Sequence, residues 1–233
     1  VLVGFKLMIV FHCMKLIIIS LNRVVKLLFT LIFVSKKMPT IAIFASGSGS
    51  NAEQLIKYFL DSTVNVGMVV TNKSNAGVVK KAKALGVEVK CFSAAQFMEP
   101  KVIIDLLKSS KIDLIVLAGF LLKINAEFID AFSERIINLH PSLLPKYGGK
   151  GMYGRYVHEA VLANQEKRSG ISIHLVNEKF DEGRLLEQHA VELVASDDLA
   201  SLTSKVQLLE HQFFPKAIEN YLISLKLLNN YHS

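Results

Sequence analysis

The 233-residue sequence predicts an α/β fold, a doubly wound and mostly parallel sheet that is Rossmann-like in its N-terminal half, with antiparallel strands added near the C-terminal end. Three observations carry that prediction. From Ile41 to Leu139, apolar runs of strand length alternate with amphipathic stretches of helix length, the pattern of repeated β-α units. The run Leu114 to Ala118 is apolar at every position, which suits a strand buried on both faces of a parallel sheet. Beyond Gly154, Ile171 to Val176 and Leu185 to Leu193 instead alternate apolar and polar, as antiparallel strands do.

The first strand, Ile41 to Ala45, passes through the turn Ser46-Gly47-Ser48-Gly49-Ser50 into an amphipathic helix from Asn51 to about Leu60. Val64 to Val70 reads as the second strand and Ala76 to Leu85 as the next helix. Val87 to Phe92 and Pro100 to Leu107 repeat the unit. After the fourth strand, Asn125 to Phe132 is helical, and a fifth strand from Arg135 to Leu139 ends at His140-Pro141. A Gly-rich loop, Gly148 to Gly154, then leads to the two alternating strands, and a long helix closes the chain. No internal repeat, low-complexity tract or linker interrupts the body, so residues 38–233 read as a single domain.

With 51% hydrophobic and 20% charged residues the chain can bury a full core. Its net charge of +7 raises nucleic acid or an anionic membrane as partners, but six of the 27 basic residues lie in residues 1–37, which hold no acid. The body is left with 21 basic against 20 acidic side chains, too even a balance for a polyanion-binding surface. Residues 1–37 are an apolar, basic extension, broken by Lys15, Arg23 and Lys26 into pieces too short for a spanning helix and without a small-residue cleavage site. They read as an upstream mis-start, not as part of the fold, a membrane anchor being the alternative. Two cysteines, Cys13 and Cys91, supply no disulfide framework within the body and fit a reducing, cytoplasmic setting.

In doubly wound sheets ligands bind outside the carboxyl ends of the strands. Three such places stand out. At Ser46 to Asn51, small residues let the backbone approach a ligand, and the following helix points its amides at an anion. The loop has neither dinucleotide spacing nor the lysine of a nucleotide triphosphate loop, so a single phosphate suits it, with a tight turn lacking any ligand as the alternative. At Asn138-Leu139-His140-Pro141, side chains two apart on an extended backbone share a face, setting an amide beside an imidazole able to hold an oxyanion and manage a proton. Alone, a histidine beside proline is more often a structural residue. At Asp181-Glu182-Gly183, after the strand containing His174, a turn carries a carboxylate that could orient His140 and raise its pKa.

In order along the chain, Ser-Gly-x-Gly-Ser-Asn at 46–51, Ala-Gly-Phe at 118–120, Asn-x-His-Pro-Ser-Leu-Leu-Pro at 138–145, Asp-x-Gly at 181–183 and Glu-His at 210–211 resemble the folate-dependent formyltransferases, the phosphoribosylglycinamide formyltransferase family in particular. The resemblance covers Pro39 to about Ile223. It implies that Asn138, His140 and Asp181 form the catalytic group, that Gly49, Ser50 and Asn51 hold the phosphate of glycinamide ribonucleotide, and that Glu210 meets its amine end. It further implies that 10-formyltetrahydrofolate is the co-substrate, lying along Leu121, Leu122, Lys123, Ile124 and Asn138, that His174 supports the carboxylate, and that no metal is required. The implied reaction is formyl transfer to the amine of the ribonucleotide in purine synthesis, by a cytoplasmic monomer or homodimer with small-molecule partners and neither nucleic acid nor membrane.

Two features depart from the family pattern. Lys123 stands in a segment where members often carry arginine, and the loop from Tyr147 to Gly154 is longer and richer in glycine than in many relatives. His158, read as a helix-surface histidine, is given no role. Methionyl-tRNA formyltransferase and formyltetrahydrofolate hydrolase share similar motifs, but each carries a further domain for which the sequence beyond the five motifs leaves little length. A nucleotide-binding module on the same sheet, without catalysis, is the alternative from another class.

Overall fold

The structure, a computed structural model, describes residues 38–228; the extension expected at residues 1–37 lies outside the described residues. The chain runs β1 (Thr40–Phe44), α1 (Ser50–Phe59), β2 (Asn65–Thr71), α2 (Gly77–Ala84), β3 (Val89–Cys91), α3 (Ala94–Met98), α4 (Lys101–Ser109), β4 (Leu114–Leu117), α5 (Ala126–Ala131), β5 (Ile136–His140), α6 (Arg155–Ala163), β6 (Arg168–Leu175), β7 (Leu185–Glu192) and α7 (Leu199–Ser224). The strands form one sheet in the order β3-β2-β1-β4-β5-β6-β7. Pairings among β1 to β5 are parallel, and β5-β6 and β6-β7 are antiparallel, as the change from continuous to alternating hydrophobicity predicts.

Alternate residues of each strand build two cores, one on each face of the sheet. Ile41, Ile43, Leu114, Val116, Ile137, Leu139, Ile171 and Ile173 pack under α1, α2, α6 and α7. Ala42, Phe44, Ile115, Leu117 and Ile136 pack under α3, α4 and α5, where Phe44 meets Phe97, Phe120 and Phe128 edge-on. Helix α3 was not anticipated, and α6 was expected only as the helix carrying His158, without bounds. The five residues of α3 owe their start to a Ser93–Gln96 capping box rather than to a long apolar period. In α6, Val157, His158 and Val161 form a short inward stripe behind the Gly-rich loop.

Chain order places the ligand crevice. Because β2 lies on one side of β1 and β4 on the other, the connections leaving β1 and β4 diverge, and a cleft opens beyond their carboxyl ends. The closing helix forms its far wall. In α7 the buried positions Leu202, Val206, Phe214, Ile218 and Leu222 recur every fourth residue, and Glu210 occupies the one gap in that series.

Candidate active site

The cleft has a volume of about 650 Å³ and is lined by the loop after β1, the segment after β4, the end of β5, the Gly-rich loop and α7. Register decides its chemistry. Asn138 on β5 lies directly opposite His174 on antiparallel β6, and His140 lies opposite Ser172, so Asn138, His140 and His174 project from the same face. The β6–β7 loop then brings Asp181 over them. Its carboxylate stands 3.5 Å from His140 Nδ1, 3.5 Å from Asn138 Nδ2 and 3.6 Å from His174 Nε2, and accepts a 2.9 Å hydrogen bond from the Gly149 amide. Asp181 itself has a φ of 55°, a left-handed conformation that aspartate tolerates better than most residues. Gly183 completes the turn because a Cβ there would overlap the Leu175 carbonyl.

Hydrogen bonding fixes the protons. Tyr147 O can only accept, so His140 Nε2, 2.8 Å away, carries a proton and the lone pair of the neutral ring lies on Nδ1, facing Asp181. Likewise His174 Nδ1 donates to Leu175 O at 2.8 Å, which leaves its Nε2 to accept from Asn138 Nδ2 at 3.0 Å. The other amide proton of Asn138 points to Asp181 Oδ1 across an N···O distance of 3.5 Å and is the loosely held one that a ligand oxygen can take over.

The expected rise in the His140 pKa is not the net result. Burial of the ring lowers the pKa below its ordinary value, and the Asp181 charge and Tyr147 carbonyl oppose that shift without overcoming it. His140 therefore rests as a neutral base beside a carboxylate that stabilises the imidazolium once it forms. Burial raises the pKa of Asp181, but the neighbouring His174 and His140 rings and the Gly149 amide together outweigh it and hold the carboxyl below its ordinary value, so it stays ionised.

At the other end of the cleft Gly49 begins α1 with a φ of 74°, and no side chain caps the helix. A Cβ at Gly49 would stand 2.6 Å from Val78 Cα, so the turn is closed by packing against α2 as well as by its dihedrals. Gly49, Ser50 and Asn51 line the cleft, and the amides of the first helical turn are oriented for an anion. Asn51 Nδ2 donates to Glu210 Oε2 at 2.8 Å, joining this loop to α7. Burial raises the Glu210 pKa, with the Asn51 amide opposing the shift.

The formyl transferase family model matches residues 39–218 of the chain. The chain belongs to the formyl transferase family. Among relatives of known name, the chloroplastic phosphoribosylglycinamide formyltransferase of Arabidopsis thaliana is 39% identical over 185 residues, covering 76% of this chain and 63% of its own length. The chain thus spans less than two thirds of that relative. It spans 95% of the phosphoribosylglycinamide formyltransferase of Bacillus subtilis, which is 30% identical over 191 residues and 79% of this chain. Among solved structures, the phosphoribosylglycinamide formyltransferase of Bacillus halodurans superposes with a TM-score of 0.71 at 33% identity, over 83% of this chain and the whole of that one.

Seen against the formyl transferase motifs, the structure brings Asn138, His140, Asp181 and His174 into one cluster, and Gly49, Ser50, Asn51 and Glu210 into another in the same cleft. The segment Leu121 to Ile124 is less uniform than expected. All four residues line the cleft, but Leu121 is exposed at the mouth and Leu122 is half-buried, whereas Ile124 is 4% exposed and also packs in the core beneath α5, because the chain turns inward there to start that helix. Lys123 sits 5.5 Å above the Phe180 ring, a cation–π contact across the mouth to the residue preceding Asp181. The reading of His158 as a surface residue is corrected. It is 5% exposed and lines the cleft. The signal was present in the sequence, since Val157, His158 and Val161 fall on one side of a helix. Among the described residues no cluster of three or more His, Cys, Asp or Glu is arranged to hold a metal, and no helix is long and apolar enough to cross a membrane.

Proposed function

We propose that the chain transfers the formyl group of 10-formyltetrahydrofolate to the amine of glycinamide ribonucleotide, with Asn138, His140 and Asp181 as its catalytic residues. The observation that carries the reading is the neutral, buried His140 held 3.5 Å from an ionised Asp181, between an amide donor and a helix N-terminus in one cleft. The cleft fits both substrates. Its volume falls in the range of small-molecule sites, the amides after Gly49 suit a phosphate, and Leu121, Leu122 and Phe180 form an apolar wall for a flat heterocycle.

10-Formyltetrahydrofolate supplies the formyl carbon that the substrate amine attacks. Glu210, tethered by Asn51, holds the amine end of the ribonucleotide. Asn138 turns its loosely held amide proton toward the formyl oxygen as that oxygen gains charge. His140 takes up at Nδ1 the proton that the amine sheds, and Asp181 stabilises the resulting imidazolium. That proton passes to N10 of the folate as the bond between the formyl carbon and N10 breaks, releasing tetrahydrofolate and restoring neutral His140. The Gly149 amide keeps Asp181 in place, so the Gly-rich loop helps assemble the catalytic group. Lys123, Leu121, Leu122 and the backbone at Ile124 lie along the folate. The unit that performs this chemistry is residues 38–233, acting on small molecules as a monomer or homodimer in the cytoplasm.

The test is direct. The protein is mixed with glycinamide ribonucleotide and 10-formyltetrahydrofolate, and formylated ribonucleotide and released tetrahydrofolate are quantified. Equal formation of the two products supports the reading. Release of tetrahydrofolate with formate and no formylated ribonucleotide overturns it in favour of hydrolysis.

A further inference from the structure

His158 lines the cleft and has no part in the reaction above. Its side chain is buried, yet its Nδ1 has no hydrogen-bond partner. A buried polar atom without a partner costs stability, and an apolar residue on the same stripe, between Val157 and Val161, would pack without that cost. A polar ring retained at such a point and facing a ligand cleft indicates that the missing partner arrives with the ligand.

The wall on which His158 sits identifies the ligand. Helix α6 packs against α7, whose Thr203, Gln207 and Glu210 line the same cleft, and Glu210 is tied to Asn51 at the phosphate end. The apolar wall at Leu121, Leu122 and Phe180 belongs to the other substrate. We propose that His158 is a substrate-binding residue for the ribonucleotide, making a hydrogen bond to its ribosyl-glycinamide portion and none to the folate. This rests on the ribonucleotide reading above. The ring reaches the ligand directly or after turning over about its Cβ–Cγ bond, a torsion with broad, shallow minima. Burial and the nearby His140 both disfavour a proton on His158, so the ring stays neutral while His140 charges. A neutral imidazole offers one donor and one acceptor and so suits hydroxyl or amide groups better than it suits a phosphate.

The test compares His158→Leu and His158→Gln with the wild-type chain. His158→Leu is expected to raise KM for glycinamide ribonucleotide by about 10-fold, as expected for one lost hydrogen bond in a desolvated site, with KM for 10-formyltetrahydrofolate within about twofold. Its Tm should hold or rise, since an orphaned polar atom has been removed. His158→Gln, which keeps a donor and an acceptor at similar reach, is expected to recover most of the ribonucleotide affinity. A wild-type chain that does not formylate the ribonucleotide overturns the ribonucleotide reading and this inference together. An active wild type whose leucine variant shows unchanged ribonucleotide KM, or a fall in Tm with both KM values raised alike, overturns the role of His158 alone. If the leucine chain does not fold, the ring ¹⁵N resonances of His158 in the wild type decide. They are expected to shift on titration with the ribonucleotide and not with the folate, and their constancy overturns the proposal.

Discussion

Replacing Asp181 with asparagine removes one charge from the centre of the site and changes little else. Asparagine tolerates the φ of 55°, is nearly isosteric and can still accept the Gly149 amide hydrogen through its carbonyl. The lost term is the attraction between the carboxylate and the imidazolium formed during turnover. At 3.5 Å, with an effective dielectric constant of about 20, that attraction is about 5 kcal/mol. Both side chains are nearly buried, so solvent screens it little. The new amide dipole offsets part of the loss, leaving a fall in kcat of roughly 10² to 10⁴. Both KM values should stay within about threefold, since neither substrate is assigned to Asp181 for binding.

The variant also has a pH signature. Burial already holds the His140 pKa below its ordinary value while Asp181 pulls it upward, so removing Asp181 lowers it further. If neutral His140 is the working base, kcat declines as pH falls through that pKa, and the acid limb of Asp181→Asn moves to lower pH than in the wild type. Steady-state assays from acid to alkaline pH, on a variant whose Tm matches the parent, check both statements. Near-normal kcat would reduce Asp181 to a turn residue. A sole limb on the alkaline side would show that imidazolium, not imidazole, is the working form.

Gly49→Ala should lower Tm by about 5 °C or more, because alanine in the left-handed region is strained and its Cβ meets Val78, while Gly47→Ala, with open space at its Cβ, should leave Tm unchanged; thermal melts of both variants check this. A chain shortened to begin at Met38 should turn over at the full rate, since the matched region starts at residue 39 and every assigned side chain lies beyond it, and a loss of activity or folding would refute the assignment of residues 1–37 outside the fold. Stability should fall as the medium is acidified below the ordinary histidine pKa of 6.5, because His140 and His158 have lowered folded pKa values and the unfolded chain binds more protons in that window. Asp181, lowered from 3.8, adds a further loss as pH falls below that value toward its folded pKa. Denaturant melts across pH test the sign, and the histidine part should shrink in His158→Leu.

The order and type of most elements were legible in the sequence, because continuous apolar runs and alternating ones have different burial requirements. So was the chemistry at Asn138 and His140, since side chains two apart on a strand share a face whatever surrounds them. The pairing of Asn138 with His174 was not, because it depends on the β5–β6 register, and register is set by the packing of both strands at once. Glu210 interrupts an apolar series that the sequence displays, but only the packing of α7 beside α1 supplies Asn51 as its partner. His158, the expected surface residue, faces the cleft because a short helix such as α6 takes its orientation from what it packs against. The direction of the His140 pKa likewise belongs to the tertiary structure, since sequence names the carboxylate that raises it while the desolvation that prevails comes from every atom packed around the ring.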